Sequence, residues 1–165
     1  MSRVRFAFAL TVATLILFAT WAALAFPDAG SNATPSAAAG SKKVIYMSAV
    51  EYKGGTNSEP FPSASPPPGG GYKLTPPDDT GRWETSTYRW EPGAVVVNKN
   101  DDVELWIWGV NGAQHPSYVE GYVPDFTVRR GTLTILSFKA DKEGVFRIHC
   151  NAHQPSMESF LIVLP

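Results

Sequence analysis

The chain has 165 residues, with 14 Lys and Arg against 15 Asp and Glu, so its formal net charge at pH 7 is -1. This balance gives no basis for nucleic-acid binding, which needs a concentrated basic surface. A chain of this length normally forms one domain. An apolar start and a stretch rich in proline and glycine occupy much of the first half, so the predicted folded unit is small.

Residues 1–26 have the features of an export signal. Two arginines precede a run of 21 residues without charge, from position 6 to position 26. About 20 apolar residues can span a bilayer as a helix, and Ala-Leu-Ala at 23–25 fits a small-x-small cleavage signature. The sequence therefore predicts a periplasmic or otherwise extracytoplasmic protein. The segment either remains as a membrane anchor or is cleaved near Ala25, and the tether-like segment that follows favours the anchor.

Residues 27–42 are rich in Ala, Ser, Gly and Pro and are predicted to form a flexible linker. The folded domain is expected over 43–165. It begins with a predicted strand at 43–53, because this segment contains many strand-forming residues and ends at a Gly-Gly pair. A Pro/Gly-rich insertion at about 54–81 follows, which cannot sustain a helix and can join a sheet only at its edge.

From Trp83 onward the pattern is that of β-strands separated by turn signals, with no convincing helical period. Apolar and polar residues alternate over 103–108 and again over 145–150, and further strands are predicted at 132–138 and 159–164. We expect an all-β domain of about six to eight strands, a two-sheet sandwich with Greek-key connections.

The cysteine count is the most informative feature of the sequence. An exported domain of this size usually pairs its cysteines as disulfides, yet Cys150 is the only cysteine of the chain. It lies within the run HCNAHQPSM, which also contains His153 and Met157. Thiolate and thioether are soft ligands and imidazole is intermediate, so one Cys, two His and a weak axial Met suit copper that cycles between Cu(I) and Cu(II).

The second imidazole of such a site is expected from a distant part of the chain. Strand alternation turns His149 away from Cys150, so His115 remains. Cys150 ends a predicted strand, and the short loop after it would return His153 and Met157 to the same point. A rigid scaffold that holds both oxidation states in one geometry favours transfer of single electrons.

The region from Arg89 to Cys150 resembles the copper domain of cytochrome c oxidase subunit II and of nitrous oxide reductase, members of the cupredoxin family. WEPGAVVVNKNDDVEL, GAQHPSYVEGYVPDFTVRRG and FKADKEGVFRIHC carry this resemblance. The family implies a cupredoxin-like Greek-key β-sandwich. The binuclear centres of those proteins need a second cysteine, which this chain does not have, so a binuclear site is excluded.

The ligand loop instead resembles the mononuclear blue copper proteins, the group of amicyanin, pseudoazurin and azurin. Cys-x-x-His is as in amicyanin and His-x-x-x-Met as in azurin. The resemblance implies one copper ion with His115, Cys150 and His153 as equatorial ligands and Met157 as the axial ligand. It implies an electron carrier rather than an enzyme, with redox partners such as a cytochrome or a terminal oxidase or reductase. Asn151 is predicted to tune the potential from beside the thiolate.

Two alternatives stay open at this point. The loop and its approach strand are also similar to those of nitrosocyanin, whose copper has an open coordination position. That family has a Glu ligand where this chain has His115, and a second loop His near the place of Met157. The other alternative is a copper-storing or metallochaperone domain, or a metal-free structural subunit. Nucleophilic catalysis by Cys150 is disfavoured, because no orienting Asp or Asn is evident.

Overall fold

The structure, a computed structural model, describes residues 40–165. The predicted signal or anchor at 1–26 and most of the predicted linker at 27–42 lie outside the described residues. Among the residues that are described, no helix is long and apolar enough to cross a membrane.

The described chain consists of ten β-strands and contains no helix. The first five are β1 (Lys42–Thr56), β2 (Tyr72–Thr75), β3 (Trp83–Glu91), β4 (Ala94–Asn98) and β5 (Asp102–Gly109). The second five are β6 (Gln114–Val119), β7 (Val123–Arg129), β8 (Leu133–Lys139), β9 (Gly144–Cys150) and β10 (Glu158–Leu164). The predicted all-β class is confirmed.

The strands form two five-stranded sheets. One has the order β2-β3-β1-β5-β8, and the other has the order β4-β10-β9-β6-β7. Both sheets are mixed, because β1 runs parallel to β5 and β4 runs parallel to β10, whereas the other neighbours are antiparallel. A single hydrophobic core draws residues from both sheets. The two sheets therefore pack as the layers of a sandwich, as predicted.

The alternation seen in the sequence explains which side chains form this core. On β5, Val103, Leu105 and Ile107 are buried, while Trp108 on the other face is about half exposed at 48%. On β9, Ile148 and Cys150 point inward in the same way. Since successive side chains of a strand point to opposite faces, the inward position of Cys150 follows from the register of β9.

Two features differ from the sequence-based expectation. The strand count is ten rather than six to eight, because short strands such as β2 carry little signal of their own. The first strand also continues to Thr56 instead of ending at Lys53, since its pairing with β3 extends through both glycines. Within the Pro/Gly-rich region, β2 pairs with β3 at the edge of its sheet. The edge is the part of a sheet where proline-rich segments are tolerated.

The register of the second sheet brings the candidate site together. Ser117 of β6 pairs with Cys150 at the end of β9, so His115 lies on the same strand two residues away from the partner of Cys150. Just beyond β9, the amide of Asn151 donates to the carbonyl of Pro116 at 2.8 Å. The sheet thus places a histidine and a cysteine, 35 positions apart in sequence, at one end of two adjacent strands.

Candidate metal centre

Three of the side chains singled out from the sequence converge inside the sandwich. The ligand atoms of His115, Cys150 and His153 all lie within 4.8 Å of one another. Nδ1 of His115 is 3.2 Å from Nδ1 of His153, which is 3.4 Å from Sγ of Cys150. His115 and Cys150 are fully buried, whereas His153 is partly exposed.

These separations fit ligand atoms that share one ion. Metal–nitrogen and metal–sulfur bonds of about 2.0–2.3 Å at tetrahedral or trigonal angles place the ligand atoms roughly 3.3–3.8 Å apart. The Nδ1–Nδ1 separation of 3.2 Å lies just below this range, and the Nδ1–Sγ separation of 3.4 Å lies within it. A thiolate with two imidazoles is a donor set that suits copper, and with the Cys-x-x-His spacing it fits a blue-copper ligand loop.

The backbone around His115 fixes which of its ring nitrogens faces the cluster. Nε2 of His115 lies 2.9 Å from the carbonyl oxygen of Asn111. Because a carbonyl can only accept a hydrogen bond, the proton is placed on Nε2 and the lone pair on Nδ1 is directed to the cluster. Asn111 is itself held by β1: its side-chain oxygen accepts from the amide of Glu51 at 2.6 Å, and its amide group donates to the Glu51 carbonyl at 2.9 Å.

Burial keeps both imidazoles ready to bind a cation. Loss of solvent lowers the pKa of His115 below its ordinary value. The pKa of His153 is lowered to about 4, chiefly by burial and then by the neighbouring His115 and the cationic Lys73. Both rings are therefore neutral at pH 7, the state in which imidazole binds metals.

The pKa of the Cys150 thiol is shifted upward, in the opposite direction. Burial raises its pKa, and the backbone of Ala152 and of His153, together with the nearby Ser117, offsets part of this rise. The Ser117 hydroxyl itself donates to the carbonyl of His115 at 3.0 Å. Backbone amides beside the sulfur would also stabilise a thiolate bound to a metal. Ser117 lies next to Cys150 because the two residues are paired between β6 and β9.

Residues 151–157, here called the ligand loop, connect β9 to β10. Met157 closes the loop and is fully buried. Its amide donates to the carbonyl of His153 at 3.0 Å, and its carbonyl accepts from the amide of Cys150 at 3.2 Å. Met157 is thus tied through its backbone to two members of the cluster. Its coordination of a metal through sulfur remains a prediction.

Asn151 and His149 are the two neighbours of Cys150 in sequence, and neither belongs to the cluster of candidate ligands. Asn151 is exposed and joins the ligand loop to β6 through its backbone amide, while the expected influence of its side chain on the thiolate remains a prediction. His149 lies on the opposite face of β9 from Cys150 and pairs with Glu158, with Nδ1 and Oε1 2.9 Å apart. It takes no part in the cluster.

Tyr88 of β3 also belongs to the site, although no sequence pattern predicts its place there. Its ring is stacked on the imidazole of His153, with 3.8 Å between the centroids and 19° between the planes. Tyr88 belongs to the opposite sheet from Cys150 and is 65 positions from His153. No motif connects residues so far apart, and only the packing of the two sheets brings them together.

No family model matches the chain, and no curated protein matches it in sequence. Among solved structures it is similar to a heme-copper terminal oxidase, with 17% identity over 46% of this chain and a TM-score of 0.41. The match covers 56% of the oxidase chain, so this protein corresponds to about half of it. The multicopper oxidase mgLAC matches with 15% identity over 76% of this chain and 39% of that chain, at a TM-score of 0.48.

A third match is auracyanin A, a blue copper protein from the green thermophilic photosynthetic bacterium Chloroflexus aurantiacus. It shows 15% identity over 46% of this chain and 88% of that chain, with a TM-score of 0.40. These three structures are named as copper proteins. Strand order and ligand geometry, rather than these distant likenesses, carry the assignment of fold and metal.

Proposed function

We propose that this protein is a mononuclear type 1 copper protein that carries single electrons, built on a cupredoxin-like Greek-key sandwich. The observation that carries the proposal is the convergence of one thiol and two imidazole nitrogens, with neighbouring ligand atoms 3.2 and 3.4 Å apart. His115, Cys150 and His153 would be the equatorial ligands and Met157 the axial one. Copper bound there supplies a one-electron couple between Cu(I) and Cu(II).

The burial of the predicted ligands favours electron transfer over catalysis on a bound substrate. His115, Cys150 and Met157 have no exposed surface, and only His153 reaches the outside in part. A substrate would need an open position at the metal, and the burial of these three side chains argues against one. An electron needs no such opening, and the partly exposed ring of His153 offers it a short path to the surface.

The protein's own groups supply the rigidity that such a centre needs. The carbonyl of Asn111 holds the ring of His115, the β6–β9 pairing holds Cys150, and Tyr88 supports His153. A site held before the metal arrives changes little between oxidation states, which lowers the cost of electron exchange. Asn151 would contribute to the potential from beside the thiolate.

The expected setting is extracytoplasmic, with a cytochrome or a terminal oxidase or reductase as the redox partner. An unpaired cysteine is compatible with this oxidising setting, because a metal-bound cysteine does not need a disulfide partner. If residues 1–26 remain uncleaved, they would tether the domain beside a membrane-bound partner. Fractionation combined with N-terminal sequencing of the mature protein tests this part of the proposal.

Addition of Cu(II) to the purified protein tests the copper proposal itself. We expect one copper per chain, an intense sulfur-to-copper band in the visible spectrum and a reversible one-electron wave. A spectrum that changes when small anions or nitric oxide are added would instead indicate an open coordination position. Tight copper binding without a reversible wave would indicate storage or delivery. A colourless loaded protein whose thiol still reacts freely would contradict the proposal.

A further inference from the structure

Three consecutive glycines lie against the ligand loop. The amide of Gly71 donates to the carbonyl of Gln154 at 2.9 Å, and the amide of Gln154 donates to the carbonyl of Gly69 at 2.8 Å. The hydroxyl of Ser156, which is buried, donates to the carbonyl of Gly71 at 2.7 Å. Gly69–Gly71, here called the glycine strap, therefore forms a short parallel bridge with the loop that contains His153.

The strap approaches the loop so closely that no side chain fits between them. A Cβ atom on Gly70 would lie 2.9 Å from the carbonyl oxygen of Ala152. One on Gly71 would lie 2.7 Å from the carbonyl oxygens of both His153 and Gln154, and it would also meet the hydroxyl of Ser156. Carbon–oxygen distances this short do not occur without displacement of one partner. Glycine is thus required here by the contact with the loop.

The strap is also hydrogen-bonded to Tyr88, the residue that packs on His153. Its Gly71 carbonyl accepts a hydrogen bond from the amide of Tyr88 at 3.0 Å, and the Tyr88 ring is stacked on His153. One glycine therefore connects the ligand loop on one side with β3 on the other. Any displacement of Gly71 is transmitted to the loop backbone and to the residue that packs on the imidazole.

We propose that the glycine strap is a positioning element that holds the ligand loop, and His153 above all, in its metal-binding arrangement before any metal is bound. The identity of the metal rests on the proposed function above, but the positioning does not. Without the strap, the hydrogen bonds that hold the loop are the Asn151–Pro116 bond, two bonds to the backbone of Cys150 and the internal bond from Met157 to His153. Ordering a loop costs conformational entropy, which a preorganised loop does not have to lose on binding.

Gly71→Ala is the sharpest test, with Gly54→Ala as its matched control. Neither glycine has the positive φ that would strain an alanine. A Cβ on Gly71 would collide with the loop, whereas one on Gly54 would meet nothing within 4 Å. The two variants therefore add the same methyl group and differ in the contact with the loop.

The measurements are made on metal-free protein: the rate at which Cys150 reacts with a thiol reagent, and the hydrogen exchange of the Met157 amide. Because Cys150 is fully buried, reaction requires local opening. Loss of one or two strap hydrogen bonds should accelerate both processes on the order of tenfold in Gly71→Ala. The rates of Gly54→Ala should equal those of the wild type. Equal rates in all three proteins would overturn the proposal.

Ser156→Ala provides a second, milder variant that adds no atoms. It removes the hydroxyl bond to Gly71 and should accelerate thiol reaction about threefold to tenfold, the effect of one hydrogen bond. If Gly71→Ala does not fold, an unchanged rate in Ser156→Ala would overturn the proposal. Unchanged exchange of the Leu105 amide in the core would show that any acceleration is local.

Copper-loaded protein then separates the two proposals. A weaker or shifted visible band in Gly71→Ala, together with faster thiol reaction in the metal-free form, would support both. Faster thiol reaction in a protein that never binds copper would support the strap and contradict the copper function. A normal blue site in all variants with equal metal-free rates would support the copper function and overturn the strap.

Discussion

The phenol ring of Tyr88 and the imidazole of His153 are stacked 3.8 Å apart, across the interface between the two sheets. His153 is the one cluster residue that is partly exposed, so this contact restrains the side chain with the most freedom. Burial raises the pKa of the Tyr88 hydroxyl, and the nearby Glu51 carboxylate adds to this rise.

Removal of the Tyr88 ring should therefore loosen His153. We expect Tyr88→Leu to weaken copper binding about threefold to tenfold, because a stacked aromatic pair contributes roughly 0.5–1.5 kcal/mol beyond buried area. Tyr88→Phe keeps the stacking and loses only the hydroxyl contact, so its affinity should remain close to that of the wild type. Competition titrations against a copper chelator measure both. Equal losses in the two variants would show that stacking is not the cause.

Cys150→Ser should abolish the visible band completely, because the sulfur-to-copper transition needs the thiolate. Oxygen is also a harder donor than sulfur and binds Cu(I) poorly. His149→Gln is the matched control, since His149 lies next to Cys150 in sequence but pairs with Glu158 on the other face of β9. Its spectrum should be unchanged. Loss of the band in His149→Gln would place that histidine in the site after all.

The number of protons released on copper binding should follow from the shifted pKa values of Cys150 and His153. Burial raises the pKa of Cys150, so the metal-free thiol is protonated at pH 7 and loses its proton when it binds. Burial and His115 lower the pKa of His153 to about 4, so that ring has no proton to lose until the pH approaches this value. Affinity should thus rise about tenfold per pH unit near neutrality and fall more steeply below about pH 4.

Calorimetry of copper binding in buffers of different ionisation enthalpy checks this count. The expected result is release of about one proton per copper at pH 7. Release of about two protons at neutral pH would mean that an imidazole is protonated in the metal-free site, contrary to its burial. Repetition with Cys150→Ser should reduce the release to near zero.

The sequence was sufficient for the parts of the site that depend on local spacing. Cys150, His153 and Met157 lie within eight positions, and the period of two in β9 predicts which of its side chains face inward. The structure agrees, since Cys150 is buried and His149 is turned away. His115 could also be named, because few other histidines exist in the chain.

The supports of the site could not be predicted, because they come from backbone contacts between distant segments. Asn111 acts on His115 through its carbonyl oxygen, a group that every residue has. Gly71 acts on the ligand loop through the absence of a side chain, within a stretch whose composition predicts only irregular structure. Such contacts depend on sheet packing and leave no periodic or compositional signal in the sequence.

Two leucines on adjacent strands should contribute very differently to the stability of the domain. Leu105 of β5 has no exposed surface, whereas Leu133 of β8 is 45% exposed. Leu105→Ala should lower the free energy of unfolding by about 2–5 kcal/mol, because it leaves a cavity between the sheets. Leu133→Ala should cost less than about 1 kcal/mol, as expected for a surface position. Urea unfolding of metal-free protein measures the difference, and similar losses would contradict the sandwich core.

Asp101 should make the domain sensitive to acid. Its carboxylate lies in the turn before β5 and accepts hydrogen bonds from the amides of Ser41 and Asn98 at 2.8 and 2.9 Å. These donors stabilise the charged form and lower its pKa. A carboxyl whose pKa is lower in the folded than in the unfolded state contributes stability that is present above the unfolded value, about 4, and is lost as the pH falls through the folded value.

Asp101→Asn keeps the shape of the side chain but removes its charge. It should be less stable than the wild type at pH 7, and its stability should decline less between pH 5 and pH 2, because the lost contribution no longer titrates. Thermal unfolding of the metal-free protein at a series of pH values distinguishes the two slopes. Metal-free samples are required because release of copper from His115 and His153 in acid would otherwise add its own pH dependence. Parallel curves for both proteins would show that the two amide contacts do not hold Asp101 ionised.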